Sequence, residues 1–268
     1  MVLKHLSYEI KNKASILKSI LFPKQLINFF LDKFRGRKRK IYEKNLFKIE
    51  SVEDKFTKIY NDNYWQDKES RSGSGSSLSS TENIRNHLLK IFDKFKIKKV
   101  FDAPCGDFNW MYHVMKHQDI DYCGADIVED LIILNKTEYE NDRIKFKKLD
   151  IRTDTLPKSD LMICRDCLFH FSFDDINLFL KNFLSSDIKY ILLTINPTEE
   201  ENFKNKDIVT GDFRLTNFFL EPFNFKKNYI YSFDDKDVRE IEISKKMYLF
   251  TKEQINENFK CIKLKIQF

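Results

Sequence analysis

The sequence predicts an α/β fold: a mostly parallel sheet with an antiparallel C-terminal end, preceded by an N-terminal helical extension. Two patterns predict it. From Lys98 onward, short apolar runs suited to strands alternate with longer segments suited to helices, and repeated β-α-β units imply a parallel sheet. Towards the end of the chain, strand candidates are separated by only one short helical candidate, which implies antiparallel pairing.

The elements follow in order. Val100-Phe101-Asp102-Ala103 is the first strand, a helix spans about 110 to 116, and 121 to 126 is the second strand. A helix over 128 to 138 leads to strands at 144 to 149 and 159 to 164, then to a helix at 173 to 184 and a fifth strand at 190 to 195. The tail offers strands at 238 to 243, 246 to 250 and 261 to 268, with a helix near 251 to 258. Before the first strand, Thr81 or Ser80 is expected to cap a helix whose face carries Ile84, Leu88, Leu89, Ile91, Phe92 and Phe95.

The chain of 268 residues suits one main domain with an appendage. Its expected division is a basic helical extension over 1–50, a Ser/Gly-rich lid or linker over 51–80, and a ligand-binding domain over 81–268. The first 50 residues hold thirteen Lys or Arg against four Asp or Glu, while the whole chain carries only +6, so the basicity is local. That stretch is expected either to lie on an anionic membrane surface or to pack as a helical extension on the domain or a second subunit. The overall skew towards Lys, Ile, Asn and Phe weakens any lysine cluster as a sign of an acidic partner.

No run approaches the roughly 20 uncharged apolar residues that a membrane-spanning helix needs, and the first residues are too polar for a signal-peptide core. A cytoplasmic location is expected. The five cysteines form an odd set without disulfide density, which fits reduced thiols. Cys164 and Cys167 have metal-binding spacing with His170 nearby, yet no second pair exists, so packing rather than a metal is expected.

The chemistry concentrates at strand ends. Val100-Phe101-Asp102-Ala103-Pro104-Cys105-Gly106-Asp107-Phe108 runs from a strand through a tight turn into a helix, where Gly106 lets a ligand approach the backbone and the helix start presents free amides. Asp126 ends the second strand, twenty residues on, where a carboxylate can accept hydrogen bonds from both ribose hydroxyls of an adenosine. Asp150 follows the third strand, placed to take an adenine amino group while Ile151 packs on the ring. Three acids at three successive strand ends is a stronger signal than any one alone. The turn holds one glycine and cannot readily cradle a pyrophosphate, which argues against a dinucleotide.

These motifs resemble the class I S-adenosylmethionine (SAM)-dependent methyltransferases over roughly residues 97 to 268. Within them the chain is similar to a bacterial branch associated with surface-polysaccharide, or capsule, gene clusters. The phrases that carry this are Gly73-Ser74-Gly75-Ser76, the turn from Asp102 to Met111, Cys164-Arg165-Asp166-Cys167-Leu168-Phe169-His170 and Thr210-Gly211-Asp212-Phe213-Arg214. Pro104 and Asp107 stand where the family commonly has glycine. The resemblance implies a Rossmann-like sheet, SAM as cofactor and a small-molecule acceptor. SAM is then expected on Asp102, Pro104, Gly106, Asp126, Ile127, Asp150, Ile151 and Arg165.

The segment after the fourth strand is where an acceptor should meet the methyl group. There His170 is the preferred general base, because neutral imidazole suits accepting a proton from an alcohol near pH 7, and Asp166 is the reserve. Arg71, Ser74, Asp212 and Arg214 are expected to bind the acceptor, with Arg71, Arg165 and Arg214 able to converge on a phosphate or carboxylate. The expected activity is O-methylation of a sugar, nucleotide-activated sugar or phosphorylated precursor of a surface glycan. The competing readings are an RNA or other small-molecule methyltransferase and a non-catalytic nucleotide-binding module. DNA-base methylation is disfavoured, because Cys164-Arg165-Asp166-Cys167 replaces the Asn/Asp-Pro-Pro-aromatic signature.

Overall fold

The computed structural model describes residues 40–198, 200–235 and 244–262. The expected basic helices of residues 1–39 and the strand candidate at 238–243 lie outside the described residues, as does most of that at 261–268. The chain divides into two units, Met1–Ile49 and Glu50–Phe268. Of the first, residues 40–46 form a helix.

The second unit is built on a seven-stranded sheet in the order β3-β2-β1-β4-β5-β7-β6. Strands β1 (Lys99–Asp102), β2 (Asp121–Asp126), β3 (Ile144–Lys148), β4 (Ser159–Cys164) and β5 (Ile188–Ile195) are parallel. Strand β7 (Lys246–Thr251) runs antiparallel to β5, and β6 (Tyr231–Asp234) antiparallel to β7. The mostly parallel sheet with an antiparallel end is as the sequence predicts. Strand β6, however, precedes the segment where a strand was expected.

Burial follows strand position. Central β4 and β5 read Ser-Asp-Leu-Met-Ile-Cys and Ile-Lys-Tyr-Ile-Leu-Leu-Thr-Ile and are covered on both faces, whereas edge strand β3 buries only Ile144 and Phe146. Helices α1 (Val52–Asn61), α2 (Glu82–Lys94), α3 (Asn109–Met115), α4 (Glu129–Tyr139), α5 (Phe173–Ser185) and α6 (Lys252–Phe259) complete the unit. One apolar cluster joins residues of α2, α3 and α4 to the sheet, and another joins residues of α5 and α6 with Phe218, Phe223 and Phe225. Phe108 is fully buried in a left-handed conformation (φ 57°) at the start of α3, within 4.9 to 6.2 Å of the rings of Tyr122, Phe146, Tyr139 and Tyr112.

Helix α2 departs from expectation at two points. Thr81 gives no side-chain cap to the helix; its hydroxyl donates back to the Ser77 carbonyl at 2.8 Å. Leu89 is exposed, because the buried stripe is Ile84, Leu88, Ile91 and Phe92. The cysteines Cys164 and Cys167 are buried and free, and both pack in the apolar cluster with α5.

Candidate functional site

The parallel strands all end on one side of the sheet, and there the unit opens into a cavity of about 1130 Å³, its open mouth included. Its floor is the turn after β1. The amide of Ala103 donates to the Ile163 carbonyl and that of Cys105 to the Ala125 carbonyl, so the turn is pinned between β4 and β2. The Ala103-Pro104 peptide is cis and Gly106 has φ +55°. A Cβ on Gly106 would lie 2.3 Å from Ser72 Oγ, so glycine is favoured both by the left-handed backbone and by the segment above it.

That segment is the serine-rich stretch 69–80. Ser70 Oγ donates to both Asp107 oxygens at 3.0 and 2.8 Å, the Arg71 amide donates to the same carboxylate at 2.8 Å, and the Asp107 amide donates to Ser72 Oγ at 3.0 Å. Asn109 adds bonds to Glu69 and to the Ser76 carbonyl. Asp107 thus ties the cover to the floor. Asp107→Ala is expected to lose these charge-assisted bonds, worth about 1 to 3 kcal/mol. Amide hydrogen exchange at residues 70–72 should then accelerate at least several-fold while β4 and β5 keep their protection.

Asp126 reaches over the same turn. Its Oδ2 accepts from the Gly106 amide at 3.3 Å and its Oδ1 from the Val128 amide at 3.1 Å. Burial nevertheless pushes its carboxyl up to about 6. Burial likewise drives Asp102 to about 7, although the Tyr122 hydroxyl donates to it at 2.8 Å and Arg165 opposes the shift. Neither acid has a salt-bridge partner among the described residues, and both line the cavity.

Arg165 and Asp166 follow β4 and belong to a buried charge network. Arg165 Nε donates to Asp235 Oδ2 at 2.8 Å, Arg165 Nη1 lies 3.2 Å from Asp166 Oδ2, and Lys245 Nζ donates to Asp166 Oδ2 at 2.9 Å. Burial would lower the Arg165 guanidinium, yet the Asp166 and Asp235 carboxylates hold it above its ordinary range. Burial would raise Asp166, but Arg165 and Lys245 outweigh it and depress the carboxyl to about 2. Asp166 adopts φ 51°, with its amide donating to Thr194 Oγ1 at 2.9 Å. The guanidinium of Arg165 also lies over the Trp110 ring at 5.5 Å.

His170 lines the cavity beside Trp65, ring centroids 5.3 Å apart. Its Nδ1 is 2.8 Å from the Asp212 carbonyl oxygen. A carbonyl only accepts, so Nδ1 carries the proton and Nε2 keeps its lone pair. Burial lowers the imidazole below 6.5 despite that hydrogen bond and the nearby Asp166, so the ring is neutral at pH 7.

All ten residues expected at the cofactor and catalytic positions therefore meet at one cavity: Asp102, Pro104, Gly106, Asp126, Ile127, Asp150, Ile151, Arg165, Asp166 and His170. Asp150 is committed as well, both of its oxygens accepting from Arg152, which also reaches Asp175 at 2.7 Å. The expected acceptor residues separate. Arg71 stands exposed at the cavity over the Tyr60 ring at 5.1 Å, whereas Ser74, Asp212 and Arg214 do not line the cavity.

Sequence reasoning missed several participants. Residues 51–80 are not uniformly linker: α1 brings Val52, Phe56, Ile59 and Tyr60 to the cavity, and their i, i+4, i+7, i+8 spacing is a helical stripe. Tyr122 and Trp65 carry no motif, and Trp110 lies inside the phrase from Asp102 to Met111 without a role of its own being read from it. Asp235 and Lys245 join the network from 70 and 79 residues beyond their partners Arg165 and Asp166, with no local signal.

Comparison with solved structures gives the fold. The chain is similar to 1,6-didemethyltoxoflavin-N1-methyltransferase of Burkholderia thailandensis (TM-score 0.53, 13% identity, covering 75% of this chain and 86% of that one). It is also similar to magnesium protoporphyrin IX methyltransferase of Synechocystis PCC 6803 (TM-score 0.51, 13% identity, 74% and 96%). Both were solved with S-adenosylhomocysteine bound. The fold is that of the class I methyltransferases. A weaker likeness, to human N-acetylserotonin methyltransferase (TM-score 0.45, 14% identity), covers 63% of this chain and 52% of that one. No family model and no curated protein matches the sequence.

Proposed function

We propose that this protein is a SAM-dependent O-methyltransferase acting on a small polar acceptor. The observation that carries it is the pairing of Asp102 and Asp126, buried acids without a salt-bridge partner among the described residues, with a neutral imidazole in the same cavity. Buried carboxylates without a salt-bridge partner among the described residues suit a ligand that is itself cationic and bears hydroxyls. The class I methyltransferase fold supports the same assignment.

Asp126 would hold the ribose hydroxyls, Ile127 and Ile151 would flank the adenine, and Asp102 with Arg165 would meet the charged amino-acid end. When bound, SAM supplies an electrophilic methyl group on a sulfonium. The rest falls to side chains of this chain. His170 Nε2 takes the proton of the acceptor hydroxyl, and the cover 69–80 with α1 excludes water. Arg71, whose guanidinium pairs with no carboxylate among the described residues, suits a phosphate or carboxylate on the acceptor.

The acceptor class we assign is a sugar, nucleotide-activated sugar or phosphorylated precursor of a surface glycan. It rests on Arg71 and on the motif resemblance to the capsule-associated branch. No helix among the described residues is long and apolar enough to cross a membrane, and we place the reaction in the cytoplasm, with residues 1–50 as a membrane-surface or self-association segment. Incubating protein and SAM with sugar nucleotides and phosphorylated metabolites should yield a product heavier by one methylene in mass spectrometry. Failure to bind S-adenosylhomocysteine in calorimetry would reject the assignment.

Binding should also depend on pH with a definite sign. A cationic ligand favours ionised Asp102, whose carboxyl titrates at about 7 without it. SAM affinity should therefore rise as pH increases from 5.5 towards 7 and level off above, with proton release detectable by calorimetry in buffers of different ionisation enthalpy. Asp102→Asn should flatten that rise.

A further inference from the structure

The segment Thr210 to Arg214 does not line the cavity, yet it grips the backbone that carries His170. The Arg214 amide donates to the Phe169 carbonyl at 3.1 Å and the Gly211 amide to the His170 carbonyl at 2.8 Å. Arg214 Nη1 donates to the Phe171 carbonyl at 2.5 Å, and the Ser172 amide donates to Thr210 Oγ1 at 2.8 Å. Four consecutive residues, 169 to 172, are thus each tied to one strap, and the imidazole itself is tied to the Asp212 carbonyl.

The strap is fixed in turn. Gly211 has φ +101°, and a Cβ there would lie 2.5 Å from Lys55 Cδ, while Lys55 Nζ donates to the Thr210 carbonyl at 2.8 Å. Thr210 Oγ1 donates to Asp175 at the start of α5.

Arg214 is the unexplained member. It is 8% exposed, and its Nε and Nη2 have no hydrogen-bond partner among the described residues. Its guanidinium packs over the Phe173 ring at 4.9 Å. Leaving donors of a buried cation unpaired is costly, which calls for a compensating role.

We propose that Arg214 is a positioning residue for His170: through the Phe171 carbonyl it locks the strap onto residues 169 to 172, so that the imidazole keeps its proton on Nδ1 and offers Nε2 to the acceptor. The proposal rests on the assignment of His170 as general base. The charges that face the ring agree with it. Burial and the Arg214 cation disfavour the imidazolium, while Asp166 after β4 and Asp212 on the strap favour it, and the neutral form wins.

The test is a nitrogen-detected NMR titration of the histidines in wild type, Arg214→Gln and Arg214→Met, with the His170 signals identified by their loss in His170→Ala. The wild-type ring should show the Nδ1–H tautomer and titrate below 6.5. Both Arg214 variants should shift its titration upward and mix the tautomers, and kcat should fall about tenfold or more, the scale expected for a misplaced catalytic group, with KM for SAM little changed. Methionine keeps bulk over Phe173 and buries no new polar atom, so it carries the test if the glutamine variant fails to fold. An unchanged tautomer and titration in a folded variant would overturn the proposal. The titration needs neither SAM nor acceptor, so a shifted tautomer without methyl transfer would count against the enzymatic assignment alone.

Discussion

His170→Ala is expected to lower turnover by about 100-fold or more, the usual contribution of a general base, while leaving S-adenosylhomocysteine affinity within about twofold of wild type. The asymmetry follows from geometry. The imidazole is fixed by the Asp212 carbonyl, stands beside Trp65, and shares no hydrogen bond with Asp102 or Asp126. The competing base, Asp166, is a poor proton acceptor, because Arg165 and Lys245 depress its carboxyl to about 2 and both lie on its Oδ2. The pH dependence separates the two. With His170 lowered from 6.5, kcat should stay flat from pH 7 upward and fall only as the solution turns more acidic than the ring's own titration point. If Asp166 served instead, kcat would hold far into the acid range, towards that carboxyl's own titration at about 2, and the alanine variant would keep full activity.

The parts of this arrangement that were legible in the sequence are those imposed by periodicity. Strand β4 runs Ser159 to Cys164 as read, because a buried central strand is an unbroken apolar run between polar flanks. The three acids were legible for the same reason: a parallel sheet brings every strand's carboxyl end to one edge, so spacing along the chain becomes adjacency in space. Strand β6 was not. Its four residues are half polar, pair among the described residues with β7 alone, and owe their extended form to that neighbour.

The charged groups were the least legible, since a sequence gives the charge of an arginine but not its partner. Arg71, Arg165 and Arg214 read alike, each able to reach a phosphate or carboxylate. In the structure Arg165 is neutralised by Asp235 and Asp166, Arg214 is folded behind the His170 segment, and Arg71 alone stands exposed at the cavity. Similarly, Asp107 read as a departure from a glycine-rich turn; only the hydrogen bonds to Ser70, Arg71 and Ser72 show why an aspartate is useful there.

Asp126→Ala should weaken SAM and S-adenosylhomocysteine by about 1 to 3 kcal/mol, or roughly 5- to 150-fold, because it removes an acceptor from groups with no alternative. The Gly106 and Val128 amides share this carboxylate, and it lines the cavity where ribose hydroxyls would add to them. Asp126→Asn is the sharper variant. Its single oxygen can satisfy one of the two amides, which turns its NH₂ towards the other donor or towards the ligand hydroxyls, so the conservative change should cost about as much as alanine. Burial raises Asp126 to about 6, and affinity in the wild type should accordingly fall as pH drops below that value, when the carboxyl becomes a donor on one oxygen. Calorimetry with S-adenosylhomocysteine reads all three. Equal affinity for wild type, Ala and Asn variants at pH 7.5 would mean that the adenosine is held elsewhere, and the assignment of this cavity to SAM would fall with it.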